Sequence, residues 1–289
     1  MFLNIIKLVR VHQYIKNLFI FMPLFFSFSF ANITNNINTL IAFILFSIIA
    51  SSIYIINDFM DIEEDKKHPT KCNRPLASGK ISKKIAVILF LSLSSVALLS
   101  AFIFNMQLFL VLFAYFILNI MYSLKLKHIS ILDIFIVATG FVLRLFAGAA
   151  VTGIELSMWI IIITFLLAIF LALAKRRDDV LLSLKGKEIR KNIDGYNLEF
   201  VNASMVLMSG VVIVSYILYT VSTEVINRIH TPYLYLTSFF VILGVLRYMQ
   251  IAFVEENSGS PTKIILKDRF LQITIILWMF SFIGIMKFV

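Results

Sequence analysis

The sequence predicts an all-α, polytopic membrane bundle of about nine helices, with its chemistry gathered on one face. Three observations carry this prediction. Of the 289 residues 60% are hydrophobic, against ~45–50% in soluble chains, and mean hydropathy is +0.95. Nine apolar segments approach the ~20 residues that cross a bilayer as helix. The connections between them sort into basic-rich and basic-poor sets. Alternation at period 2, the mark of a membrane β-barrel, is absent.

The segments run, in order, over 17–31, 39–57, 85–104, 107–124, 131–151, 157–174, 203–222, 233–254 and 270–288. The first is short, so it is expected to tilt or to extend through Tyr14 and Ile15. Lys7, Arg10 and Lys16 precede it in the manner of a signal peptide. No small-x-small cleavage site comes before the polar stretch 32–38, and the segment reads as a retained span.

Charge then orients the spans. One set of connections carries Lys7, Arg10 and Lys16, seven basic residues in 58–84, Lys125 and Lys127, seven more in 175–200, and Lys263, Lys267 and Arg269. The other set (32–38, 105–106, 152–156 and 223–232) carries Arg228 as its one basic residue. The excess of Lys and Arg on one side predicts that the N-terminus and long loops face the cytoplasm in an inner or plasma membrane. An odd number of spans would put the C-terminus outside. The same rule accounts for the net charge of +10, so no nucleic-acid partner is invoked. A single cysteine, Cys72, and four scattered histidines provide neither an intrachain disulfide nor zinc-ligand spacing. A homo-oligomer is compatible with the sequence, although no motif encodes one. The chain reads as a single domain over 1–289.

Five of the sixteen carboxylates fall within 58–65, directly after the second span. Asp58, Asp61 and Asp65 are spaced three and four apart, so in a continuing helix all three project from one face. They also lie at the helix C-terminus, where the macrodipole is already negative. A divalent cation would relieve that repulsion, and all-oxygen ligands with room for phosphates suit Mg2+. Asn57 beside them is costly in lipid without a partner and joins the expected ligand set. The loop that follows is basic and rich in turn formers, from Lys66 to Lys80. Acids that hold a metal next to Lys and Arg make a metal-diphosphate site, with Lys71 and Arg74 as the expected phosphate contacts. Lys66, Lys67, Lys83 and Lys84 read as membrane-side anchors. A weaker echo follows the sixth segment, where Lys175-Arg176-Arg177-Asp178-Asp179 begins another basic loop and suggests a second half-site.

The pattern Asn57-Asp58-x-x-Asp61-x-x-x-Asp65 resembles the first aspartate motif of the UbiA-type intramembrane prenyltransferase superfamily. That resemblance implies a nine-helix bundle with a site open to the cytoplasm. Within the superfamily, His68-Pro69-Thr70-Lys71-x-x-Arg74-Pro75, Arg10-x-x-Gln13-x-x-Lys16-Asn17, Tyr122-Ser123-x-x-Leu126-Lys127 and Leu266-Lys267-Asp268-Arg269 look like the decaprenyl-phosphate phosphoribosyltransferase branch. Aromatic prenyltransferases usually carry a second motif Asp-x-x-x-Asp, which is missing here. The branch instead has Lys-Arg, two residues, then an acid, which places Asp179 at the acidic position.

The resemblance implies transfer of 5-phosphoribose from phosphoribosyl diphosphate to a polyprenyl phosphate, with Mg2+ as cofactor. Such a product can supply pentose for cell-envelope sugars. The expected roles are as follows. Asp58, Asp61 and Asp65 hold Mg2+, with Asn57 as ligand or orienter. Lys71 and Arg74 neutralise diphosphate. Asp179 contacts metal or ribose. Lys16, Lys175 and Arg176 bind a phosphate, and Asn17 and Tyr122 line the substrate site. Arg144, inside the fifth segment, is expected to touch a phosphate at the floor of the site. The bland alternative is a structural partner such as a bundle carbonyl. Asp133 is eleven residues away, or ~16 Å along the helix, too far to pair with it. The competing activities are aromatic prenyl transfer from a polyprenyl diphosphate and membrane transport. Transport would call for more midplane polar residues than Arg144 alone.

Overall fold

The computed structural model describes residues 2–67, 70–184 and 195–288, and every regular element among them is helical. The chain forms two compact units, Met1–Leu156 with Leu182–Gly195, and Ser157–Leu181 with Tyr196–Val289.

The first unit opens differently from the expected single span. Helix α1 (Phe2–Val9) is followed by a 3-10 segment, Val11–Phe21, and then by α2 (Met22–Ser27). Arg10 between α1 and the 3-10 segment is left-handed, with φ 55°. The break has a polar cause. A 3-10 helix aligns residues three apart, and here it turns Tyr14 and Asn17 together toward α3 (Ile33–Met60). The Tyr14 hydroxyl and Ser51 Oγ lie 2.8 Å apart, and Asn17 Nδ2 donates to Ser47 Oγ at 2.9 Å. Ser51 Oγ also donates to the Val9 carbonyl at 3.0 Å. Polar groups that lipid cannot satisfy are thus paired along α3.

After α4 (Ile62–Lys67) come three further long helices, α5 (Lys83–Phe104), α6 (Met106–Leu124) and α7 (Leu132–Thr152). Their ends are set locally. Asn32, Ser82 and Asn105 accept backbone N–H groups as N-caps, and Gly153 closes α7 in the left-handed conformation at φ 69°. The core between them gathers Phe46, Ile49, Ile53, Leu108, Leu112 and Tyr115 with the small residues Ala42, Ala50, Ala97, Ala101 and Ala147. Small residues let helix backbones close up where lipid offers no hydrophobic drive. Gly148 is the extreme case, since a Cβ there would lie 2.0 Å from the Ile20 carbonyl oxygen.

In the second unit, α8 (Met158–Leu184) runs past the expected end at 174, so Lys175–Asp179 are helical residues rather than loop. It is followed by α9 (Leu198–Val221), α10 (Thr223–Ile229), a 3-10 turn leading into α11 (Ser238–Phe253), α12 (Pro261–Lys267) and α13 (Arg269–Phe288). The Tyr216 hydroxyl accepts from Trp278 Nε1 at 2.7 Å and pairs with Thr237 Oγ1 at 2.8 Å, tying α9, α13 and the turn before α11.

Eight helices among the described residues are long and apolar enough to cross a membrane. Large apolar side chains stay exposed along them, Ile103 at 84% and Phe280 at 70%, for example. A surface of that kind is solvated by lipid, and the chain is a multi-pass membrane protein.

Candidate functional site

The acidic cluster stands where α3 gives way to α4, and Asp61 is the joint. Its N–H donates to the Asn57 carbonyl at 3.0 Å, and its own carbonyl accepts from Asp65 N–H at 2.7 Å. Helical hydrogen bonding therefore continues through the joint. The three acids lie within about 60° of arc on one helix face, yet they take different partners. Seven residues advance a helix by nearly two turns, leaving about 20° between 58 and 65, whereas 61 stands about 60° from 58. Asp58 and Asp65 accordingly meet at one atom. Arg74 Nη1 lies 3.0 Å from Asp58 Oδ1 and 2.7 Å from Asp65 Oδ2. Asp61 is turned to Lys127 instead, and Asn57 Nδ2 donates to its other oxygen at 3.2 Å. Arg10 also pairs with Asp58.

All three carboxylates are buried, as is Lys127. Burial pushes the Asp65 carboxyl up from its ordinary range, against the opposing pull of Arg74. The counter-charge required by three clustered acids is thus supplied by Arg10, Arg74 and Lys127. Neither Arg10 nor Lys127 stood out as a contact in the sequence, although both lie in the stretches that carry the family resemblance. No rule of spacing links residue 127 to residue 61.

The donor set fits a hard cation. Among the described residues no group of three His, Cys, Asp or Glu side chains is placed to hold a metal ion, so there is no all-protein metal cage among them. Mg2+ seldom uses one, taking one or two carboxylates and completing its shell with substrate phosphates and water. Asp58 and Asp65 converge on a single cationic nitrogen, which marks a point where two carboxylate oxygens already meet a positive charge. Asp58 and Asp65 would hold the ion, with Asp61 three residues along and Asn57 beside Asp58 able to join them.

The remaining expected residues disperse. Lys71 lies in the 3-10 turn Lys71–Asn73, and its charge bears on Asp65. His68 and Pro69 lie outside the described residues. Tyr122 is half-buried in the last turn of α6. Lys16 is half-buried in the 3-10 segment, under the charges of Arg144 and Arg10. Arg144 is buried in α7 among neutral partners. Its Nε donates to Asn17 Oδ1 at 2.8 Å and its Nη1 to the Gly140 carbonyl at 2.6 Å. The guanidinium also lies over the rings of Phe46, Tyr115 and Phe141, at 4.8, 5.2 and 5.3 Å. The Gly140 carbonyl lies one turn back on the same helix. Gln13 Oε1 and Ser123 Oγ, from two of the motif stretches, are buried without a hydrogen-bond partner. Such atoms ask for a ligand or water.

In the second unit, Arg176 Nη1 donates to Asp179 Oδ2 at 2.6 Å, and both side chains are largely buried while Lys175 is exposed. Arg177, absent from the expected set, is a structural clamp. It donates to Asn202 Oδ1 at 2.9 Å and to the Ala252 carbonyl at 2.5 Å, with its guanidinium over Phe253.

The model of the UbiA prenyltransferase family matches residues 20–267. A decaprenyl-phosphate phosphoribosyltransferase of Mycolicibacterium smegmatis is 32% identical, the alignment covering 95% of this chain and 90% of that protein. The enzyme of the same name from Corynebacterium glutamicum is 30% identical over 97% and 86%. Among solved structures, a UbiA homolog from Archaeoglobus fulgidus bound to DMAPP and Mg2+ superposes with a TM-score of 0.70 at 19% identity, covering 99% of this chain and all of that one. At that identity the likeness speaks for the fold.

Proposed function

Because this chain belongs to the UbiA prenyltransferase family, we infer that it is a membrane transferase moving 5-phosphoribose from phosphoribosyl diphosphate to a polyprenyl phosphate. The observation that carries this reading is the likeness, 32% and 30% identical over nearly the whole chain, to two proteins named decaprenyl-phosphate phosphoribosyltransferase. The missing Asp-x-x-x-Asp motif on α8 adds to it. The whole chain is taken as one functional domain, since the family match runs through both units. The basic loops and the acidic site are assigned to the cytoplasmic side on the charge bias.

In the reaction the bond from ribose C1 to diphosphate breaks, and an oxygen of the lipid phosphate forms the new bond to C1. Diphosphate departs with the electron pair. The attacking oxygen is already anionic, so the protein need not supply a strong base. Asp58 and Asp65 would hold Mg2+, which when bound would neutralise charge on the leaving group. Arg74, Lys71, Arg10 and Lys127 carry the rest of that negative charge. Asn57 orients Asp61. Lys16 takes a phosphate near the N-terminal segment, where Asn17 and Arg144 stiffen the wall. Lys175, Arg176 and Asp179 are assigned to the second phosphate and the ribose, and Tyr122 to the substrate wall.

The test is direct. Membranes containing the protein, given labelled phosphoribosyl diphosphate, a polyprenyl phosphate and Mg2+, should yield labelled lipid. No labelled lipid, together with product from a prenyl diphosphate and an aromatic acid, would overturn the assignment.

A further inference from the structure

The first unit matches its three site carboxylates with three cations. Asp58 faces Arg10 and Arg74, Asp65 shares Arg74, and Asp61 faces Lys127. The acids and Lys127 are buried, while the Arg10 and Arg74 side chains retain 19% and 25% exposure. The six formal charges cancel. A divalent ion arriving alone must turn Arg74 or Lys127 off its acid and leave a cation unpaired in a poorly solvated place, which is strongly unfavourable. A diphosphate arriving alone meets the converse difficulty. It draws the cations away and strands the carboxylates.

We propose that these six residues form a partner-exchange lattice that admits a divalent cation and a diphosphate only together. On entry the carboxylates of Asp58, Asp61 and Asp65 pass to the metal, and Arg10, Arg74 and Lys127 pass to the phosphate oxygens. Every charge then keeps a partner throughout. Lys127 has two partners in this scheme, Asp61 in the empty site and a phosphate oxygen in the filled one. The lattice keeps the empty site from filling with metal alone. It also couples the two ligands by a free energy that each must exert on the other. The proposal rests on reading Asp58 and Asp65 as metal carboxylates, and it is the same for a phosphoribosyl or a prenyl diphosphate.

The test measures metal binding without turnover. The full chain in detergent is titrated with Mn2+ alone, as a paramagnetic stand-in for Mg2+, and free Mn2+ is counted by electron paramagnetic resonance. Wild type should bind weakly. Lys127→Met, which leaves the lattice one negative charge in excess, should bind Mn2+ at least about tenfold more tightly. Asp61→Asn added to Lys127→Met should return the affinity toward wild type. Arg10→Gln should shift affinity in the same direction as Lys127→Met, and it decides the question if Lys127→Met does not fold. A wild type that binds Mn2+ alone as tightly as the variants overturns the lattice, as does a loss of affinity in folded Lys127→Met and Arg10→Gln. Donor identity does not enter this readout, so failure of the phosphoribosyl assignment and failure of the lattice are distinguishable.

Discussion

Arg144 donates from Nε to Asn17 Oδ1 at 2.8 Å, across 127 positions of sequence. The contact joins the middle of α7 to the N-terminal 3-10 segment, and Asn17 passes it on to Ser47 of α3. Asn17→Leu should therefore strand a donor of a buried guanidinium. The expected loss is ~1–2 kcal/mol, in line with polar contacts inside membrane bundles. It is read as a lowered unfolding midpoint in detergent. An unchanged midpoint would show that the contact contributes nothing.

Asp58 stands between Arg10 and Arg74. Asp58→Asn keeps the shape of the side chain and removes its charge. Transfer of phosphoribose should fall by ~100-fold or more, while the protein still inserts and accumulates in the membrane. Chelation of divalent ions should likewise stop turnover in wild type, and added Mg2+ should restore it. Near-normal rates in Asp58→Asn would remove Asp58 from the metal assignment.

Gly148 has no room for a methyl group, because its Cβ would lie 2.0 Å from the Ile20 carbonyl oxygen. The obstacle is backbone, which cannot rotate aside as a side chain can. Gly148→Ala should push the 3-10 segment off α7 and cost ~1–3 kcal/mol. Gly210 offers the control, since nothing lies within 4 Å of a Cβ built there. Gly210→Ala should be neutral or stabilising in the same unfolding assay.

Asp268 lies between α12 and α13 and receives Arg247 Nη2 at 2.6 Å. That hydrogen bond holds the Asp268 carboxyl below its ordinary range. A carboxylate whose pKa is depressed on folding stabilises the protein above the unfolded value, about 3.9 for Asp. The contribution is lost as pH falls through the lower folded value. Unfolding midpoints should therefore drop on acidification below about pH 4. Asp268→Asn should flatten that part of the curve. A wild-type curve of the same shape as Asp268→Asn would show the pair to be inert.

The elements most legible in the sequence were those whose cause is local. Runs of apolar residues place α3, α5, α6, α7, α8 and α9, because a span is defined by its own length and hydropathy. The end of α8 was misplaced at 174, since Lys175–Asp179 look like loop by charge. The helix carries them because Arg176 pairs with Asp179 and Arg177 with α9 and α11. The first span was expected whole. The structure divides it into a 3-10 segment ending at Phe21 and α2 from Met22, and the 3-10 part is held by Ser47 and Ser51 of α3, partners that local sequence does not contain.

The acidic cluster follows the same division. The sequence by itself determined that acids, Asn57 and a basic loop meet at the end of an apolar helix, and helical spacing was enough to propose a cation and diphosphate site there. Only the tertiary structure decided how the acids sort, with Asp58 and Asp65 turned to Arg74 and Asp61 turned to Lys127. The physical reason is range. Periodicity along one helix fixes which residues share a side. A buried carboxylate, in contrast, takes whichever cation the fold brings to it, and Lys127 arrives from sixty-six residues away.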